Sequence, residues 1–227
     1  MTGRTAGTGF GKRAIAVLMA ACAVVGCGGS EAPMLAPSQV GCQDVNVGRW
    51  LDVPSSGPVS VRVPQPPGWE INEDVARRAQ EMMASDRSTA GPAPVFLIGP
   101  TPEGGSEASV FMASVDQVIP VGAPPTVDAT LDDLVDSIVQ ARRADGTTVE
   151  GPLSATACGH ALRYYLITPK PTEADAHPTT GYQSQIVIQV DGTFYGVQIG
   201  YRPANSSSEP IRSDLDTMVR GIHITTP

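Results

Sequence analysis

Residues 182–201 read YQSQIVIQVDGTFYGVQIGY. Two runs rich in β-branched and aromatic residues flank Asp191-Gly192. Asp-Gly between such runs is the strongest short-range hairpin signal, because a type I′ turn needs φ > 0 at both central residues. The stretch predicts two antiparallel strands, residues 182–190 and 193–201. A two-residue connection leaves no room for a crossover, so this part of the sheet is antiparallel.

Working outward, residues 161–168 predict a strand that leads into a Pro-rich loop, residues 169–181. Residues 95–98 and 109–118 read as two strands joined by the hairpin-type loop 99–105. Residues 59–63 (VSVRV) alternate apolar with polar and predict a further strand, stopped by Pro64, Pro66 and Pro67. Asn72 reads as the N-cap of a helix over 73–84, with Glu73 and Asp74 favourable in its first turn. Ile71, Val75, Ala79, Met82 and Met83 fall near one face of it. Thr130, with Asp133 three residues on, reads as the N-cap of a second helix. That helix carries Leu131, Leu134, Val135, Ile138 and Val139 and ends at Asp145-Gly146. Residues 211–219 predict a last helix with Asp214 and Asp216 on its exposed side, and residues 222–224 a short final strand. Direct hairpins interleaved with amphipathic helices define an α+β class, an antiparallel sheet sandwiched by helices. Residues 40–227 make one such domain, and no internal repeat is visible.

The N-terminus has a different composition. Basic residues Lys12 and Arg13 precede an unbroken apolar run of 12 residues, 14–25. That is the pattern of a secretory signal, and it falls short of the roughly 20 residues of a spanning helix. The run ends Val24-Val25-Gly26-Cys27, which looks like a bacterial lipobox. A cysteine thiolate is the nucleophile that takes up a diacylglyceryl group, and small residues before it suit the peptidase. Cys22 is the rival acceptor, but it would leave a short run with Met19 three places upstream. Residues 1–26 are therefore expected to be a signal peptide, with Cys27 the lipid-modified (palmitate-type) N-terminus. Residues 27–39, small, polar and Pro-containing, form a flexible tether. The chain is expected at the cell membrane, lipid-anchored on the extracytoplasmic face.

Removing 26 of the 227 residues leaves 201, enough for a single domain with a real core. The removed segment holds Arg4, Lys12 and Arg13 and no acid, so the net charge falls from −8 to −11. An acidic surface argues against nucleic-acid partners. Cys42 and Cys158 remain. Outside the cytoplasm an even pair points to a disulfide, the other reading being two buried thiols.

Chemistry is sparse. His160, His177 and His223 show no metal-ligand spacing. No Gly-x-Ser-x-Gly elbow, Walker loop or Gly-x-Gly-x-x-Gly is present. Cys158-Gly159-His160 has a better use for its cysteine in a disulfide. The acids of 132–136 and of Asp214 and Asp216 lie near helix N-termini, where the dipole favours them. No cofactor, metal or catalytic residue is expected.

Residues 59–69 (VSVRVPQPPGW), a strand leading to Pro-x-Gly-Trp, resemble the opening of the Mog1/PsbP-like fold. Behind a lipobox, the chain resembles the actinobacterial LpqN/LpqT lipoprotein family, and the element order agrees across most of 59–225. The 169–181 loop has no counterpart in that pattern. The resemblance implies a non-enzymatic envelope lipoprotein that binds an envelope lipid or glycolipid, or alternatively an adaptor for a transporter or secretion complex. The 169–181 loop is the surface suited to the adaptor role. Trp69 has two readings, a core plug at one end of the sheet or the wall of a ligand groove. Met82 and Met83 likewise fill core or line an adaptable lipid-binding surface. A pocket between their helix and the sheet is the expected place for an acyl chain.

Cys27→Ala is expected to abolish incorporation of labelled palmitate and to release the protein from the membrane fraction. Cys22→Ala should do neither, and the reverse result would move the acceptor to Cys22.

Overall fold

The computed structural model describes residues 40–85, 92–101, 108–120, 125–173, 175–176, 178–204 and 208–227. Cys27, the signal peptide and the tether lie outside the described residues. In chain order the elements are β1 (Arg49–Val53), β2 (Ser60–Gln65), β3 (Glu70–Ile71), α1 (Glu73–Ser85), β4 (Val95–Ile98), β5 (Val110–Val118) and α2 (Val127–Ala144). They continue with β6 (Thr148–Ala157), β7 (His160–Thr168), β8 (Gly181–Val190), β9 (Thr193–Arg202), α3 (Glu209–Gly221) and β10 (His223–Thr225).

Two sheets form where one was expected. The larger runs β3-β4-β5-β9-β8-β7-β6, antiparallel throughout, and the smaller runs β1-β2-β10. The β8–β9 hairpin turns as the sequence requires, with Asp191 at φ 48° and Gly192 at φ 79°. Cys158 (φ 51°) and Gly159 (φ 82°) make the same kind of turn between β6 and β7.

The larger sheet is covered on both faces. Leu97, Phe111, Leu162, Tyr182 and Ile199 face inward to a core shared with the small sheet and with Leu215 and Met218 of α3. On the opposite face Leu131, Val135 and Ile138 of α2 pack on Tyr165, Ile167 and Val187. Ala76 of α1 packs there too, on Phe96 and Met112. The result is three layers: helices α1 and α2, the large sheet, and the small sheet with α3.

Several local expectations are corrected. Strand β6 was not anticipated, because Gly151-Pro152 interrupts it. The structure absorbs the pair as a register shift between Glu150 and Leu153 on the edge strand, where a missing donor is tolerated. Strands β1 and β3 were also not foreseen. Strand β2 runs through Pro64, opposite Trp50, because β10 ends at the Arg62 level and makes no demand on residue 64. Helix α2 starts a turn earlier than Thr130. Thr126 is its N-cap, accepting from the Ala129 N–H at 3.2 Å, while Thr130 is buried in the second turn. Ile71 belongs to β3 rather than to the face of α1, and it is 42% exposed.

Cys42 and Cys158 are joined by a disulfide, with a Cα–Cα distance of 5.2 Å. The segment before β1 is also held to α3 by backbone bonds: Gly41 N–H to Val219 O, Cys42 N–H to Ile222 O and Gln43 N–H to Arg220 O. The crosslink spans a separation of 116 residues. Such a loop is worth about 5 kcal/mol in the chain-entropy model, and about 2–5 kcal/mol in small secreted domains. Reduction, or Cys42→Ala with Cys158→Ala, should therefore lower unfolding stability by about 2–5 kcal/mol. Denaturant titrations with and without reductant check this; a difference below about 0.5 kcal/mol would mean the backbone bonds alone hold the segment.

Candidate functional site

The Pro-x-Gly-Trp segment is a turn with a stated mechanism. Trp69 N–H donates to Pro66 O, closing a four-residue turn with Pro67 second and Gly68 third at φ 81°. That is the type II pattern, which needs φ > 0 at its third residue. It drives Trp69 into the core, where the residue is 2% exposed. The ring lies so close on Gly99 that a Cβ there would come within 2.9 Å of it. Indole Nε1–H donates to Asp214 Oδ2 of α3 at 2.9 Å. Asp214 is thus half-buried with a partner, and Asp216 pairs with Arg220 at 2.8 Å, so the acidic side of α3 is less open than its sequence suggests.

Trp69 belongs to the α3 side of the large sheet, and α1 packs on the other side. The structure does not bring Trp69 onto the face of α1. The side chains of Met82 and Met83 lie outside the described residues. What is described beneath α1 is a small apolar cluster, Ala76, Phe96 and Met112, with Val75 and Val110 partly buried against it. At the N-terminal end of α1 a cleft of 710 Å³ is lined by Glu70, Ile71, Asn72, Glu73, Gly99 and Thr101, among others. Its acidic lining fits no apolar ligand.

The sequence signal that was missed is YQSQ, residues 182–185, four polar residues in the middle of a central strand. All four are buried: Gln183 is 3% exposed and Gln185 2%. Tyr182 and Ser184 face α3, while Gln183 and Gln185, on the face of α1 and α2, belong to two cross-sheet rows. One row is Ser114, Gln198, Gln185 and Arg163, across β5, β9, β8 and β7. The next is Met112, Gly200, Gln183 and Tyr165. Arg163 is occupied, its Nε 3.0 Å from Asp132 Oδ1 of α2. Gln183 Oε1 has no hydrogen-bond partner, while the Tyr165 hydroxyl interacts with the Gln185 amide and the Asp116 carboxyl with the Ser114 hydroxyl. Burial pushes the Tyr165 hydroxyl well above the ordinary tyrosine range, partly offset by Gln185 and Arg142. Burial also raises the Asp116 carboxyl, partly offset by the Ser114 hydroxyl.

The opposite face carries a tyrosine ladder. Tyr164 and Tyr182 stack at 5.8 Å, and Tyr182 and Tyr201 at 5.2 Å. Burial raises the hydroxyls of Tyr182 and Tyr201, so these two rings act as neutral packing. Elsewhere, Trp50 on the small sheet meets His223 edge-on at 5.1 Å, with the Arg62 guanidinium 5.4 Å from its ring centre. His160 opens β7 opposite Ala157, and Cys158 is in the disulfide rather than paired with it. His177 lies outside the described residues. Among the described residues, no group of three or more His, Cys, Asp or Glu is placed to hold a metal ion. No described helix is long and apolar enough to cross a membrane. Among the described residues of 169–181, Thr172 N–H donates to Asp175 O at 2.8 Å within the loop, and the Thr179 hydroxyl donates to Pro203 O at 2.7 Å.

The antiparallel sheet between a helical layer and a smaller sheet is an α+β sandwich of the Mog1/PsbP-like kind. The chain is similar to the crystal structure of LpqN, a protein involved in cell envelope biogenesis of Mycobacterium tuberculosis. The TM-score is 0.51 at 13% identity, over 79% of this chain and 91% of that one. The Ran-binding protein Mog1p of Saccharomyces cerevisiae is also similar, at a TM-score of 0.35 and 12% identity over 72% of this chain and 89% of that one. No family model and no curated protein matches the chain. The fold is therefore LpqN-like.

Trp69→Phe keeps most of the packing but leaves the half-buried Asp214 without its donor, which should cost about 1–3 kcal/mol. Trp69→Ala adds a cavity, and the loss should reach about 3–5 kcal/mol. Urea unfolding of the two variants checks the order; no loss in Trp69→Phe would show that the indole–carboxylate bond adds nothing, and equal losses that the cavity adds nothing.

Proposed function

We propose that this chain is a membrane-anchored, non-enzymatic envelope lipoprotein that binds or carries a cell-envelope lipid or glycolipid. The observation that carries the reading is the apolar cluster under α1. Ala76, Phe96 and Met112 form a cluster separate from the two that hold the sheet to α2 and α3. Met112 supplies a flexible, polarizable wall that adapts to an acyl chain. The lipobox at Cys27 would hold the domain at a membrane, and the 27–39 tether would let it reach the bilayer surface. LpqN, which has the same fold, is involved in cell envelope biogenesis, and this supports an envelope role.

The second reading, an adaptor for an envelope transporter or secretion complex, has the 169–181 loop as its surface, with Thr179 tied to Pro203 O.

Native mass spectrometry of the full lipoprotein purified from an actinobacterial host tests the first reading. An adduct in the lipid mass range is expected. Met112→Lys should reduce its occupancy at least tenfold while leaving the circular dichroism unchanged. A mass free of lipid in the wild type would overturn the carrier reading.

A further inference from the structure

Strand β6 closes one end of the seven-stranded sheet, so one of its sides is an open edge among the described strands. The two-residue turn Cys158-Gly159 joins it to β7, with Ala157 opposite His160. Residues flanking such a turn exchange both backbone bonds, and the pattern then alternates along an antiparallel pair. Ala157, Ala155 and Leu153 therefore direct N–H and C=O to β7. Ser154 and Thr156 point theirs outward. Leu153, Ser154 and Thr156 are exposed, Leu153 at 51%, so an apolar side chain lies bare beside the edge. An edge of this kind is a template for one more strand.

Val40, the first described residue of the chain, already sits on that edge. It makes a parallel bridge with Ala157, and both are buried in the main core. The polar groups of Ala157 belong to β7, so the bridge is made by Val40's own N–H and C=O, facing Thr156 and Cys158. Gly41 agrees, since its N–H is committed to Val219 O. The Cys42–Cys158 disulfide holds the two segments in this alignment. In the same parallel register Ser38 falls beside Ala155 and Ala36 beside Leu153, each with its polar groups facing β6. Pro37 and Pro33 fall on the alternate positions, where the backbone nitrogen faces away and no donor is missed. Pro152 ends the strip, because it has no N–H to offer.

We propose that the open edge of β6 from Leu153 to Ala157 is the docking strip for this chain's own residues 36–39, added as a parallel strand in register with Val40. Ser38 N–H donates to Ser154 O, and Thr156 N–H to Ser38 O; Ser154 N–H donates to Ala36 O. The residue that follows the segment is already seated, so its pairing is intramolecular, an advantage that a second copy or another protein lacks. The strap also alters reach. Residues 27–39 number 13, and docking leaves 9 of them, 27–35, free. At about 3.5 Å per extended residue the span from Cys27 falls from about 45 Å to about 30 Å. The reach rests on the anchor at Cys27; the docking rests on neither the anchor nor a bound lipid.

Hydrogen exchange of the full lipoprotein in nanodiscs, resolved to single amides, tests the pairing. The Ser154 and Thr156 amides should be protected. Ser38→Pro removes a donor that faces β6 and should speed both at least tenfold. Gln39→Pro removes one that faces away and should leave both within twofold of the wild type. Ala36→Pro, one step further out, should free Ser154 and leave Thr156 slow. Wild-type amides that exchange as fast as unstructured chain would overturn the proposal. Protection that survives Ser38→Pro and Ala36→Pro would mean that something else covers the edge, a second copy if the protection depends on protein concentration, and residues 36–39 would be excluded. Equal acceleration by Ser38→Pro and Gln39→Pro would overturn the parallel register on which the proposal stands.

Discussion

Everything in this molecule answers to the burial of strand β8 on both faces. Its residues 181–188 are all buried, so each side of the strand needs a layer over it. A half-solvated antiparallel sheet would need one covering layer. Here α2 lies on one side, and α3 with the small sheet on the other, and the chain must return to the small sheet at its very end to complete that cover. Strand β10 pairs with β2 across most of the sequence, and the disulfide ties the segment before β1 to the β6–β7 turn. The N-terminal segment, the middle and the C-terminus are thereby held to one core.

That closure explains the placement of the disulfide. Gly41, Cys42 and Gln43 are bonded to the backbone at the C-terminal end of α3, but backbone hydrogen bonds are individually modest in net worth. A covalent link to a hairpin turn adds a constraint on the unfolded chain that local bonds cannot supply. The turn is apt for it, since Cys158-Gly159 holds its geometry through two residues at φ > 0 and so fixes the direction of the Cα–Cβ bond.

What was legible in the sequence was what local chemistry decides. Asp191-Gly192 announced its hairpin and residues 95–98 their strand, while Trp69 stayed open between core plug and groove wall until the Pro66–Trp69 turn placed it in the core. What failed was set by distant partners. Thr130 looks as good a cap as Thr126 until the core claims its side chain. Gly151-Pro152 reads as a strand break, yet an edge position lets a register shift absorb it. The second sheet was invisible because β1 and β10 are short, and their pairing with β2 is fixed by the three-dimensional closure rather than by any turn. Asp214 looks like a solvent-facing helix acid, and only the arrival of Trp69 from 145 residues away gives it a donor.

The candidate site was missed for a deeper reason. Sequence patterns identify apolar residues as buried, so YQSQ reads as the exposed side of a strand with tyrosine interspersed. The fold overrides this because β8 is central and both of its faces are covered. A sequence optimised for stability alone would put leucine or valine at 183 and 185, since replacing buried polar groups with apolar ones of similar shape is neutral or stabilising. Departures of this kind are where function is expected to hold residues against stability. The tyrosine ladder on the other face makes the contrast: its rings stack into the core at ordinary aromatic distances, whereas the glutamines of the same strand bring no packing advantage that an aliphatic residue would lack. Packing accounts for the tyrosine rings and the tryptophan, whereas the buried polar atoms of β8, Gln183 Oε1 on one face and the Tyr182 and Ser184 hydroxyls on the other, are what the fold by itself leaves unaccounted for.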